Sequence, residues 1–257
     1  LFSKRQWGDN VAYSYDANID TWVDLGSFPN PNDGLQENAL AYAGELIGYY
    51  AGPVWHVSTV GSDTTGDGST SAPFETIQKA VQKSSSGDTI QVAEGLFTEP
   101  INIQDKSLAI IGVDSTQSVV AAGYIYTQSH ESSIDVSFTN LRFESIVTSN
   151  HTMIWSECTN CTEDDSINVE FVNVYGDGSA EKSFMVASTR SVVEVHNSQF
   201  NSFSRGNYGG VFDLERANSN STLSIYNSVF SENIADRGGA IHLENGNSLY
   251  INQSEFT

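Results

Sequence analysis

The side chains best suited to chemistry in this 257-residue chain are a few carboxylates and one pair of cysteines. Hydrolysis of a glycosidic bond needs clustered carboxylates acting as acid and base, and Asp164-Asp165 is the adjacent Asp pair. Aligning Gly209-Gly210 on Gly238-Gly239 sets Asp213 over His242 and Glu215 over Glu244, on an outward face. Two carboxylates held that close raise each other's pKa or bind a cation. Arg205, Arg216 and Arg237 are the nearby candidate bases, but none falls into a column with them, so a solvated acidic face is the competing reading. Asp63 and Asp67 stand in a Gly-rich stretch, where carboxylates hold Ca²⁺ or simply make turns; their spacing is not that of an EF-hand. Cys158 and Cys161 lie in Glu157-Cys-Thr-Asn-Cys-Thr162. They form a local disulfide, remain two thiols, or supply half of a zinc shell that has no second pair in the chain.

What must position these residues is a repeat. Leu223-Ser224-Ile225-Tyr226-Asn227 followed by Phe230 is one copy. Val193-Val195-Asn197-Phe200, Val136-Phe138-Asn140-Phe143 and Leu249-Ile251-Gln253-Phe256 have the same spacing. Val169-Phe171-Asn173 lacks the final Phe, and Leu108-Ile110-Gly112 has Gly in the Asn column. The period of roughly 20–50 residues is that of a solenoid, propeller or array. Apolar residues alternate within each copy, so the unit is a strand. One strand cannot bury its own apolar face, whereas stacked copies make a continuous core. The intervals hold short apolar runs and polar turns rather than helices. The fold expected is therefore all-β, a parallel β-helix over 54–257, with Ile225, Phe230, Ile241 and Leu243 pointing inward and about six coils over 88–257. Asn140, Asn173, Asn197, Asn227 and Gln253 would form a side-chain ladder between coils, or serve as ordinary turn residues. The two cysteines, in the longest interval, are expected on an inserted loop.

Lys plus Arg number 11 and Asp plus Glu 32, a net charge of −21. Such a chain is a poor partner for nucleic acid or anionic membrane. No apolar run approaches the roughly 18 residues of a membrane span. Pro29, Pro31, Pro53, Pro73 and Pro100 are the prolines. Central strands need every N–H, so the absence of Pro beyond 100 marks that region as nearly continuous sheet.

Residues 1–53 form a separate β-rich segment. Asn10–Asp16 reads as a strand, and 39–50 as a hairpin or, for 35–47, a helix. Tyr15-Asp16, Thr21-Trp22 and the following strand pair resemble one kelch blade. Residues 74–84 carry Phe74, Ile77 and Val81 at helical spacing, so a short helix follows Pro73 and covers the edge of the first coil. Residues 54–87 are thus a capping region. Val57-Ser58, Gly61-Ser62-Asp63, Pro73-Phe74, Thr76-Ile77-Gln78, Gly87-Asp88-Thr89 and Glu94-Gly95 resemble the cap of right-handed parallel β-helix proteins of the pectate-lyase-like superfamily. Phe230-Ser-Glu-Asn233 with Gly238-Gly239-Ala240-Ile241 resembles the paired motifs of polymorphic outer-membrane protein repeats.

The first resemblance implies a right-handed solenoid and raises the question of catalysis. The N-T-D, G-H-G and R-I-K elements of polygalacturonases are absent. The function expected is therefore non-catalytic: an extracellular or cell-surface structural or adhesive protein, part of a surface layer, fibre or appendage. Its partners would be copies of itself, other surface proteins or glycans. The alternative is a polysaccharide-active or carbohydrate-binding β-helix. Asn150, Asn160, Asn220 and Asn252 fit the N-glycosylation pattern, usable only in a eukaryotic-type secretory path. The last copy is followed by no capping helix. The expectation is that the polypeptide continues, or that this end docks head to tail on another subunit.

Overall fold

In the computed structural model the described residues are 2–6, 9–16, 21–27, 53–122, 124–144, 152–162, 164–178, 183–188, 190–214, 220–244 and 246–257. The chain divides into two units, 1–51 and 52–257. In the first, strands Phe2–Gln6, Asp9–Asp16 and Thr21–Ser27 pair antiparallel in that order. The strand expected over 10–16 is the middle one. The hairpin or helix expected within 35–50, which would complete a blade, lies outside the described residues.

The second unit is a right-handed parallel β-helix. Three parallel sheets of eight, seven and six strands run along it. A coil passes from the eight-stranded sheet to the seven-stranded and then the six-stranded one. The repeat columns are the ladder partners: Val136 pairs with Leu108 and Val169, Val193 with Val169 and Leu223, and Leu223 with Leu249. Alternation decides which side each residue faces. In Ile134–Thr139, Ile134, Val136 and Phe138 are buried while Asp135 is exposed.

The Phe column becomes a stack of rings. Phe200 and Phe230 lie 5.2 Å apart, and Phe230 and Phe256 4.7 Å apart with 6° between planes. Each buried Phe contributes about 1.5–3 kcal/mol by leaving water. The copy without its Phe places Gly176 between Phe143 and Phe200 in the ladder. The ring of Phe184, from the six-stranded sheet, packs 5.4 Å from Phe143 and 4.7 Å from Phe200, so another strand supplies the missing aromatic.

Asn140, Asn173, Asn197, Asn227 and Gln253 all have φ between 50° and 54°. They form the left-handed corner between the eight- and seven-stranded sheets, a conformation that Asn tolerates better than most residues. Each Asn N–H donates to a carbonyl of the next coil. Within this column, Asn173 Nδ2 donates to Asn140 Oδ1 at 2.7 Å. The column is thus a backbone bend throughout, with a side-chain ladder at one step. Gly112 has its own reason: a Cβ there would lie 2.2 Å from the carbonyl oxygen of Asn140.

The first edge is closed. His56 N–H donates to Gly68 O, Phe74 N–H to His56 O, and Ser58 N–H to Phe74 O. Helix α1, Ile77–Lys83, buries Ile77, Ala80 and Val81. It begins later than the sequence predicts because Phe74 bridges to Val57 and Thr76 is the N-cap, accepting from Lys79 N–H. At its other end Lys106 Nζ donates to the carbonyls of Val81 and Ser84. In the last coil the columns are not covered: Leu249 and Ile251 are each 43% exposed and Phe256 42%. Ile225 and Phe230 are buried as expected, whereas Ile241 and Leu243 are half-buried, their strand being last in its sheet.

Candidate binding face

The outer face of the eight-stranded sheet gathers the most chemistry. Strands Ile167–Val172 and Ser191–His196 are parallel partners, setting Glu170 directly beside Glu194 and Val172 beside His196. Their inward positions are Ile167, Val169, Phe171 and Ser191, Val193, Val195, so alternation sends Glu170, Glu194 and His196 out together. His196 Nε2 lies 3.3 Å from Glu194 Oε2 and 4.0 Å from Glu170 Oε1. Its ring lies flat on Tyr226, with centroids 4.8 Å apart and 8° between planes. Tyr250, the ladder partner of Ser224 in the neighbouring row of Glu170 and Glu194, lies 5.5 Å from Tyr226. On the other side of the glutamates a shallow groove of about 600 Å³ runs past Asn168, Ser137, Asp135 and Ala109. Asn168 Nδ2 donates to Asp135 Oδ1 there, 2.7 Å away.

The sequence carries both halves of this motif, and the inward half is the one that alternation makes legible. Val169-Glu170-Phe171-Val172-Asn173 and Val193-Glu194-Val195-His196-Asn197 align position for position. The alternation that put valines and Phe in the core also placed both glutamates on one outer column.

The carboxylates singled out in the sequence do other work. Asp63 Oδ1 accepts from the N–H groups of Glu75 and Thr76, and Oδ2 from Thr76 Oγ1, so this side chain fastens the approach to α1. Asp67 Oδ1 accepts from Ser69 N–H, and the Ser69 bonds hold its carboxyl below the usual range. Both side chains accept hydrogen bonds from turn backbone. Asp165 is engaged by the backbone and hydroxyl of Thr162, which lower its pKa.

Asp213 pairs with His242 across the six-stranded sheet, in the register the glycine alignment requires. Asp213 is not on an open face, however: it is fully buried, and His242 Nδ1 lies 2.8 Å from its Oδ1. His242 Nε2 is 3.9 Å from Glu244 Oε1. Glu215, Arg216 and the side chain of Arg205 lie outside the described residues, as does Asn150. Asn160, Asn220 and Asn252 are exposed.

Cys158 and Cys161 are joined in a disulfide. They do not sit on an inserted loop. Cys158 is the last residue of strand Thr152–Cys158, paired with Ser129, and Cys161 follows in the turn. The Phe-x-x-Asn motif has a mechanical role. Asn233 Oδ1 accepts from Phe203 N–H and its Nδ2 donates to Phe200 O, both at 3.0 Å, so the Phe-x-x-Asn unit staples its coil to the preceding one.

Neither a search of curated proteins nor one of solved structures finds a match. A family model described as "Protein of unknown function (DUF1565)" matches residues 59–250. That span runs from the cap to the last strand of the eight-stranded sheet and covers most of the chain, which therefore belongs to the DUF1565 family.

Proposed function

We propose that this chain is a non-catalytic structural or adhesive β-helix of the cell exterior, presenting one side face of its solenoid unit to its partners. The observation that carries the reading is a pair of neighbouring outward rows on the eight-stranded sheet: Glu170, Glu194, Ser224 and Tyr250 in one, His196 and Tyr226 in the other. Aromatic faces beside carboxylates and amides suit an extended, hydroxyl-rich ligand such as a glycan, with the rings supplying apolar contact and the polar groups hydrogen bonds. The charge of −21 and the disulfide accord with an exported surface. Membership of the pectate-lyase-like superfamily and kinship with outer-membrane repeats belong to the same proposal.

The test is binding of the immobilised protein to pectate, alginate and neutral polysaccharides. Tyr226→Ala with Tyr250→Ala should weaken retention at least about tenfold if each ring contributes around 1 kcal/mol. Retention unchanged in the double variant removes this face from the reading. A second reading, a polysaccharide-active enzyme, is favoured by one observation: buried Asp213 fixes the ring of His242, as an orienting carboxylate does for a general base. Release of unsaturated products or new reducing ends, abolished by His242→Ala, would replace the first reading with the second.

A further inference from the structure

We infer that Glu170, Glu194 and His196 form a binding site for a divalent cation of the zinc class, with two carboxylate oxygens and one imidazole nitrogen as ligands. One ligand atom from each residue lies within 4.8 Å of the other two. Metal–ligand bonds of about 2.0–2.2 Å place neighbouring tetrahedral ligands about 3.4 Å apart. The His196 Nε2 to Glu194 and Glu170 distances, 3.3 and 4.0 Å, are already near that value. Small rotations of the half-exposed glutamates close the remainder without moving the strands.

The donors are pre-positioned by rigid elements. Glu170 and Glu194 are direct ladder partners, and Glu194 and His196 are two residues apart on one strand. The stack on Tyr226 fixes the plane of the imidazole with Nε2 toward both carboxylates. Like charges directly opposite one another in a sheet are destabilising, and the chain carries −21 in all. A cation between them converts that repulsion into attraction. One nitrogen with two oxygens favours Zn²⁺ over Ca²⁺, which takes six to eight oxygen ligands. Three protein ligands leave a position open to solvent or to a bound molecule.

The experiment uses the full chain with its disulfide intact, stripped with chelator, and Zn²⁺ added in competition with a chromophoric chelator. One equivalent should bind, and Co²⁺ should give visible absorption on occupying the same site. Glu170→Gln with Glu194→Gln should weaken Zn²⁺ at least tenfold. His196→Phe, which keeps a ring against Tyr226 and removes the nitrogen, should do the same. His130→Ala, at the separate His130–Asp105 pair, should leave binding unchanged. Melting of each variant without metal checks that it folds; Zn²⁺ should raise the melting temperature of the parent and not of the site variants. No stoichiometric binding, equal binding by parent and site variants, or tighter binding of Ca²⁺ than Zn²⁺ would overturn the assignment.

Discussion

The backbone N–H of Ser198 donates to the hydroxyl of Ser228, 3.1 Å away on the next coil. Ser228 Oγ in turn donates to Tyr226 O, and Ser228 N–H donates to Ser254 Oγ. Val174 N–H donates to Ser198 Oγ in the same manner. The residue after the left-handed corner thus turns its hydroxyl inward and satisfies backbone that the bend takes out of the sheet ladder. Ser198 and Ser228 are each 1% exposed, so water cannot substitute. Ser228→Ala should cost about 1–3 kcal/mol, the penalty of a buried unsatisfied donor. Ser254→Ala, at a half-exposed position, should cost less. Urea unfolding followed by circular dichroism compares them; equal midpoints for both variants would show that the column carries no weight.

Ile225 lies between Val195 and Ile251 in the ladder and is fully buried. Ile225→Val should cost about 0.5–1.5 kcal/mol. Ile225→Asp places a charge in the core and should cost several kcal/mol, enough to abolish cooperative melting near room temperature. A soluble Asp variant with the parent melting temperature would mean that this column does not face a core.

The coils were legible because their inward residues repeat in type as well as spacing, and Val, Ile, Leu and Phe at alternate positions have one physical reading. The corner at Asn140, Asn173, Asn197 and Asn227 was legible because Asn is the common non-glycine residue at positive φ. A second corner was not. Ser202 and Glu232 have φ of 59° and 55°, yet neither type favours that conformation, so nothing in the sequence marks it. The serine column was written in Asn197-Ser198, Asn227-Ser228 and Gln253-Ser254 but passes for ordinary turn polarity. The Glu170, Glu194 and His196 cluster was hidden for another reason. Exposed columns carry varied residues, and only the register between coils shows which of them meet.

Tyr126, on the outer face of the six-stranded sheet, donates its hydroxyl to Glu157. Burial first, then the Glu157 hydrogen bond and charge, together push its pKa up to about 12. The folded state therefore prefers the neutral phenol. Its contribution to stability is fully present below the unfolded value of about 10 and is lost as pH rises through the folded value. Absorbance titration at alkaline pH should show one tyrosine ionising late, and Glu157→Gln should move it toward the others. A late-ionising group that survives in Tyr126→Phe would mean that another residue is responsible.

Cys158 and Cys161 are joined to each other, and the chain has 2 cysteines in all. Thiol titration of unfolded, unreduced protein should find essentially no free thiol. Cys158→Ser should leave one reactive thiol at Cys161, whose position is half-buried whereas Cys158 is 9% exposed. Two free thiols in the parent, or a dimer that dithiothreitol dissociates, would refute the intramolecular link.

Substitutions at Asn197 and Asn173 separate the two readings of the Asn column. If the left-handed bend is what matters, Asn197→Gly should be nearly neutral, within about 0.5 kcal/mol, because Gly adopts positive φ without a steric penalty. Asn197→Val should cost about 1–2 kcal/mol, since a side chain branched at Cβ meets the carbonyl in that conformation. Asn173 differs because its amide also bonds to Asn140 across 2.7 Å. Asn173→Gly should therefore lose about 0.5–1.5 kcal/mol, one hydrogen bond's net contribution. All three variants keep the coil length, so denaturant midpoints at constant m-value compare them directly. If Gly costs as much as Val at Asn197, amide contacts rather than backbone conformation hold this corner, and the bend reading fails.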